Sequence, residues 1–440
     1  MKFLKTSFLF AFILLFSCSS DSIESTSNFK GEILQLNTFG GTKNESAYNV
    51  VTTIDDGYAV FGFTQSNDND VTDKTDESFD YWLLKFSSED ELQWSKTYGG
   101  SNDDRGRSII TTSDGGFAIA GFSQSNDGDV TENNGLYDFW LAKLDVNGAV
   151  SWQKSFGFSG TDQAFSIIQT NDGGYLVNGI LDVTASGGQG NARNNRHAGG
   201  DYWAIKVDAN GNREWWNYYG GTNTDTAFKA IQTNDNGFLF FGSSDSDDVD
   251  ITDNKGVYDF WVVKTNNTGE VQWKKNYGGS ELDEAFDAIK TNDGNFLIVG
   301  NTRSNDKDIF ESNGSSDIWA IKIDSNGTLL WEESYGGSSF DLANGITQAQ
   351  DGGFYIVGNT RSSNIDVTNN NGNKDVWVLK INASGKLLSQ KTIGGSEIDN
   401  ANDVVQLSNG NIIVVGESWS SNFDITENKG FSDALIIKMK

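Results

Sequence analysis

Along this chain, from about residue 30 onward, apolar and polar positions alternate in stretches of about seven residues, each bounded by a glycine- or Asx-rich turn. Between Gly279 and Gly337 the alternation predicts four strands. Ala285 to Thr291 makes the first, Asn292-Asp293-Gly294 a tight turn, and Phe296 to Thr302 the second. A longer polar loop, Arg303 to Ser316, precedes a third strand from Asp317 to Asp324. Ser325-Asn326-Gly327 then turns the chain into a fourth, Leu329 to Tyr335. Side chains that alternate with a period of two put one face of each strand into a core.

The pattern recurs seven times. Each copy ends in Gly-Gly, except once where Phe takes the second place, starting at Gly40, Gly99, Gly157, Gly220, Gly278, Gly336 and Gly394. The spacings are 59, 58, 63, 58, 58 and 58 residues. Four strands per copy at this period predict an all-β fold, a seven-bladed β-propeller with four antiparallel strands per blade. Ile33 to Gly41 match the fourth strand and Gly-Gly of a blade, whereas the chain reaches Lys440 after a third strand. The N-terminal strand is therefore expected to close the last blade, which leaves no exposed sheet edge. No linker interrupts the repeats, so residues 30–440 read as one domain.

Composition supports a core. Hydrophobic content is only 36%, but 13 Trp and 29 Phe concentrate apolar area in large side chains, and 50 Gly are read as serving turns. Trp82, Trp140, Trp203, Trp261, Trp319 and Trp377, with Leu435 in the last copy, hold one third-strand position and are expected to wedge between blades. Trp94, Trp152, Trp215, Trp273 and Trp331 recur in the fourth strand and read as blade packing too, since a ligand platform need not recur in every copy. A net charge of −29 excludes nucleic acid as a natural partner, because phosphate binding needs a basic surface.

The N-terminus carries an address. Lys2 and Lys5 precede an apolar run from Phe8 to Phe16, too short to span a bilayer and built like a secretory signal. Leu15-Phe16-Ser17-Cys18 resembles a bacterial lipobox, which implies a signal peptide over residues 1–18 and lipidation of Cys18. The chain holds no other cysteine, so no disulfide can form within it. Ser19-Ser20-Asp21-Ser22-Ile23-Glu24 resembles the export signal of Bacteroidota lipoproteins, implying a lipid anchor in the outer membrane with the protein facing the exterior. Residues 19–29 are expected to form a flexible tether.

Candidate chemistry falls on the face that carries the interblade loops and the long loops between second and third strands. Each interblade loop bears a carboxylate: Glu45, Asp104, Asp162, Asp225, Asp283, Asp341 and Asp399. These could ring the channel mouth, but hydrogen bonding to the Gly-Gly-Ser turn is favoured because every copy has one. Asp80, Asp138, Asp201, Asp259, Asp317, Asp375 and Asp433 each precede a Lys by five residues, a structural pair expected to join neighbouring blades. Loops such as Ser125 to Asp129 and Ser304 to Asp308 make Asp127, Asp129, Asp306 and Asp308 candidate Ca²⁺ ligands, although the spacing is not that of an EF-hand. No other cofactor is implied.

Departures from the repeat are more specific. Six of the seven Arg are assigned to the long-loop face: Arg105, Arg107, Arg193, Arg196, Arg303 and Arg361. Just after the second strand, consecutive blades carry Arg303, Arg361 and Trp419, a set suited to an acidic polysaccharide through forked hydrogen bonds and ring stacking, set against arginines that only neutralise the nearby Asp-rich loops, the reading placed slightly ahead. The insertion Ser186 to Gly200 in the third copy holds His197, the single His of the chain, with Tyr202 close behind. That pair is the candidate for proton transfer in uronate β-elimination, set against a solvated loop histidine as the preferred reading.

Thr291-Asn292-Asp293-Gly294 and Asp317-Ile318-Trp319, repeated with small changes, resemble a group of secreted propeller proteins among Bacteroidota lipoproteins; the resemblance covers residues 30–440. Lys322-Ile323-Asp324-Ser325-Asn326-Gly327 through Trp331 also resembles the repeat of quinoprotein propellers, which have eight blades and a cofactor pocket absent here, and is taken as shared turn chemistry. The expectation is a surface-anchored, noncatalytic binding propeller that captures an acidic polysaccharide. The alternatives are a polysaccharide lyase or glycosidase, and a scaffold for a protein partner.

Overall fold

The computed structural model describes residues 29–187 and 197–440. The expected signal peptide, Cys18, all but the last residue of the expected tether, Arg193 and Arg196 lie outside the described residues. Seven four-stranded antiparallel sheets make up the molecule. The type blade consists of Asp283–Lys290, Phe296–Thr302, Asp317–Ile323 and Leu329–Tyr335, within two residues of the boundaries read from alternation. The fold is a seven-bladed β-propeller.

Closure occurs as the repeats imply. The strand Ile33–Phe39 pairs antiparallel with Asp433–Met439, Thr38 opposite Leu435, and becomes the outermost strand of the seventh blade. Phe29 is buried just ahead of it and meets the Tyr355 ring edge-on at 5.1 Å, so packing begins one residue before the expected domain boundary.

Neighbouring sheets share seven apolar clusters, one at each blade junction. The third-strand Trp side chains are almost fully buried there, at most 2% exposed. Tyr81 stacks against Trp140 at 4.5 Å and its hydroxyl donates to the Trp140 carbonyl at 3.0 Å. Tyr202 repeats both contacts on Trp261. Fourth-strand Trp94, Trp152, Trp215, Trp273 and Trp331 are half-buried and pack on the same clusters, in line with their expected role. Outermost-strand tyrosines latch four of the blades to the next: Tyr98, Tyr219 and Tyr277 donate to the carbonyls of Gly148, Gly269 and Gly327 at 2.6–2.7 Å, and Tyr335 donates to that of Gly385.

All seven innermost strands carry a β-bulge at the residue after a repeated small position, as at Ala47/Asn49 and Ala285/Asp287. A bulge turns its extra side chain away from the ladder. Here that device creates the lining of the central channel.

Candidate binding site in and around the central channel

The repeated carboxylates do not form an open ring. Every member of the set from Glu45 to Asp399 is fully buried. Each accepts a backbone N–H four residues upstream, from Gly41, Gly100, Phe158, Gly221, Gly279, Gly337 and Gly395, at 2.6–2.8 Å. Hydroxyls such as Thr64 and Ser125 complete the shell, at 2.9 and 2.8 Å. These groups hold interblade loops in place, the favoured reading.

The Asp and Lys five residues apart act differently from expectation. They sit at opposite ends of the third strand and do not pair across blades. The Lys reaches the first turn of its own blade, as in Lys85 to Asp55 at 2.9 Å and Lys380 to Asp351 at 2.7 Å. Lys438 is the exception and reaches Asp90 in the neighbouring blade at 2.6 Å, because Asn409 replaces the turn Asp in its own. The third-strand Asp instead accepts the loop amide four residues upstream, Asn134 to Asp138 and Asn371 to Asp375 both at 2.7 Å.

That rule explains His197. Its Nδ1 lies 2.6 Å from Asp201, also four residues on, so the imidazole stands where other blades place a backbone amide. Its side chain is only 3% exposed and meets the Tyr218 ring edge-on at 4.9 Å. The solvated reading is thus replaced by a buried structural one. Burial disfavours the charged imidazole, but the hydrogen bond and charge of Asp201 outweigh it and raise the pKa. Tyr202 projects to the opposite face of the strand onto Trp261, so the two expected proton carriers are not brought together.

The Asx-rich loops clamp the interblade turns. Asp127 accepts from Ser101 N at 2.8 Å and Asp129 from Gly99 N at 3.3 Å; Asp306 and Asp308 repeat this on Ser280 and Gly278 at 2.8 and 3.1 Å. The four calcium candidates are therefore engaged with backbone amides, and among the described residues no group of three or more His, Cys, Asp and Glu is placed to hold a metal ion.

At the mouth over blades five to seven the arginines behave as a group. The guanidinium carbons of Arg303 and Arg361 lie 5.6 and 6.0 Å from the centre of one exposed ring, Phe340. Burial and the Arg361 charge lower the pKa of Lys374, which the sequence reading did not single out, against the opposing pull of Glu417. Trp419 is half-buried at the equivalent place in the last blade. Arg105 and Arg107 are not loop residues but belong to the innermost strand Asp104–Thr111. Arg105 is tied to Asp103 at 3.3 Å and lies over the Phe79 ring at 4.1 Å. Arg107 points into the channel, its guanidinium 3.9 Å from the centre of the Tyr48 ring.

The channel encloses a cavity of about 470 Å³. Its bulge-level ring reads Tyr48, Arg107, Phe165, Phe228, Phe286, Asn344 and Asn402 around the seven blades. Below it Lys229 pairs with Asp287 at 3.0 Å and also feels Asp403. Asp403 accepts from Val50 N at 2.9 Å and Val404 N at 2.8 Å, while burial and the Asp287 charge push its pKa up to about 6. Motif reading missed this lining. The signal was present as a position that changes character between blades directly after a repeated Ala or Gly.

No family model matches this chain. No curated protein matches it either. Among solved structures it is similar in fold to Sqt1 from Chaetomium thermophilum, at 8% identity over 92% of this chain and 100% of that one, with a TM-score of 0.44. The BBS1N chain of a complex with ARL6DN aligns at 8% identity over 93% and 96% of the two chains, TM-score 0.47. Puromycin hydrolase aligns at 10% identity over 86% of this chain and 51% of its own, TM-score 0.46. Likeness this remote carries nothing about ligand or activity.

Proposed function

We propose that this chain is a noncatalytic binding propeller that captures an acidic polysaccharide at the channel mouth of blades five to seven. The observation that carries this reading is the convergence of Arg303 and Arg361 on the exposed Phe340 ring in a chain of net charge −29. Among the described residues neither arginine forms an ion pair with a carboxylate within 4 Å. Guanidinium groups beside an aromatic face match a ligand with both anionic groups and apolar ring faces, although Glu284 and Glu417 also act on the charges there. Lipidation of Cys18 and display on the outer membrane belong to the same proposal and are supported by the lipobox resemblance alone.

Titration of the purified protein with polygalacturonate and with a neutral galactan tests it. Binding to the acidic polymer is expected, weakened at least tenfold when Arg303, Arg361 and Trp419 are changed together to Ala. Equal binding to the neutral polymer, or none to either, would overturn the reading.

A further inference from the structure

The channel cavity supports a more specific assignment, one that rests on the acidic-glycan reading and adds a subsite to it. The residue before each bulge is a repeated Ala or Gly, yet the bulged residues form two unlike walls. Phe165, Phe228 and Phe286 stand side by side in consecutive blades, with centroid separations of 5.2 Å at both steps, and make a continuous apolar wall. Across the ring, Asn344 and Asn402 donate their side-chain N–H groups to the Ala401 and Ala47 carbonyls at 2.8 and 2.9 Å. Their amide oxygens accept no hydrogen bond from the described residues.

Charge in the cavity is equally uneven. Lys229 is neutralised by Asp287 and Asp403, whose oxygens also accept backbone amides. Arg107 makes no ion pair within 4 Å among the described residues, although the Glu417 charge reaches it, and its buried Nε has no hydrogen-bond partner. The Tyr48 ring beneath fixes the guanidinium plane and leaves its edge for a fork-shaped contact.

We propose that this cavity receives one hexuronate residue from the end of an acidic glycan. Its carboxylate sits on Arg107, one ring face lies against Phe228 and its neighbours, and its hydroxyls donate to the amide oxygens of Asn344 and Asn402. A cavity of about 470 Å³ has room for one sugar and part of a second. The bulge lies three residues inside the innermost strand, roughly 10 Å below its start at the rise of a β-strand, so a chain end rather than a chain middle fits.

Calorimetric titration with trisaccharides of galacturonate, glucuronate, mannuronate and guluronate, and with galactotriose as the uncharged control, tests this. At least one triuronate should bind and galactotriose should not. Arg107→Gln and Phe228→Ala should each weaken that binding tenfold or more, while Arg303→Ala/Arg361→Ala keeps it within about threefold and loses affinity for the polymer. Should Arg107→Gln fail to fold, Arg107→Lys replaces it, with the same loss expected because the fork is gone. Channel variants that melt normally and bind triuronates like the parent would overturn the subsite and leave the mouth reading standing. Failure of every uronate, polymer included, would overturn both.

Discussion

Asp375 of the sixth blade and Asp399 of the seventh converge on Gly394 so closely that a Cβ on that glycine would lie 2.6 Å from one carboxylate and 2.8 Å from the other. The Asp375 oxygen facing it is buried and has no hydrogen-bond partner. Gly99 stands in the same relation to Asp80 and Asp104, at 2.6 and 2.7 Å. The first glycine of the repeated Gly-Gly is thus kept by two acids, and its φ is not in the left-handed region.

Stability should therefore fall as pH rises. Burial and the Asp399 charge push Asp375 up to about 6; Asp80 and Asp259 are pushed up to about 7. An unfolded Asp titrates near 3.9, so the native state binds the extra protons. Their stabilising contribution is complete below about pH 4 and is lost as pH climbs through 6 and 7. Turn carboxylates paired to Lys act in a lower window, since Asp55 and Asp235 are held down to about 2 and lose their contribution only between about pH 4 and 2. A melting temperature highest near pH 4 and roughly 5 °C or more lower at pH 8 is expected from scanning calorimetry. Asp375→Asn should flatten the slope; an unchanged slope in that variant would assign it to surface repulsion, which salt screens.

Two glycines near each other in sequence should respond oppositely. Gly394→Ala forces a methyl between two buried carboxylates and is expected to cost about 2–4 kcal/mol in urea unfolding. Gly410 has φ +89 and a Cβ added there would meet nothing within 4 Å, and the matching turn of the fourth blade holds Asn236 at φ +63. Gly410→Asn should cost under about 0.5 kcal/mol.

The single imidazole offers a direct check. Proton NMR of His197 should show a titration midpoint above the 6.5 of an exposed histidine in the folded protein, because Asp201 holds the charged form. Its share of stability is present below about pH 6.5 and lost as pH rises through the folded midpoint. A midpoint at or below 6.5 would contradict the Asp201 contact.

Removing residues 29–39 should expose the edge of Asp433–Met439 and open the ring at its one noncovalent closure. Chromatographic aggregation and a melting temperature lower by roughly 10 °C or more are the expected outcome.

The period of two, the Gly and Asx turns and the sevenfold recurrence determined the blades, their boundaries and the partner of the N-terminal strand, because strand geometry and repeat stacking are local rules repeated along the chain. The recurrent Trp positions were legible for the same reason. Tertiary structure alone decided what each charged residue faces. Asp375 and Asp399 stand at the starts of strands in different blades, two strands apart in the chain, yet share one glycine, Lys85 turns back to its own blade, and Tyr202 is set away from His197 by the alternation of a single strand. The second glycine of the pair shows the same division. Gly100 lies against Ser125 and Asp127, whereas the third blade carries Val183 and Ala185 at those places and admits Phe158, which packs on Trp216 at 5.2 Å. The channel lining needed the ring itself, since seven bulged side chains distant in sequence become neighbours only when the propeller closes.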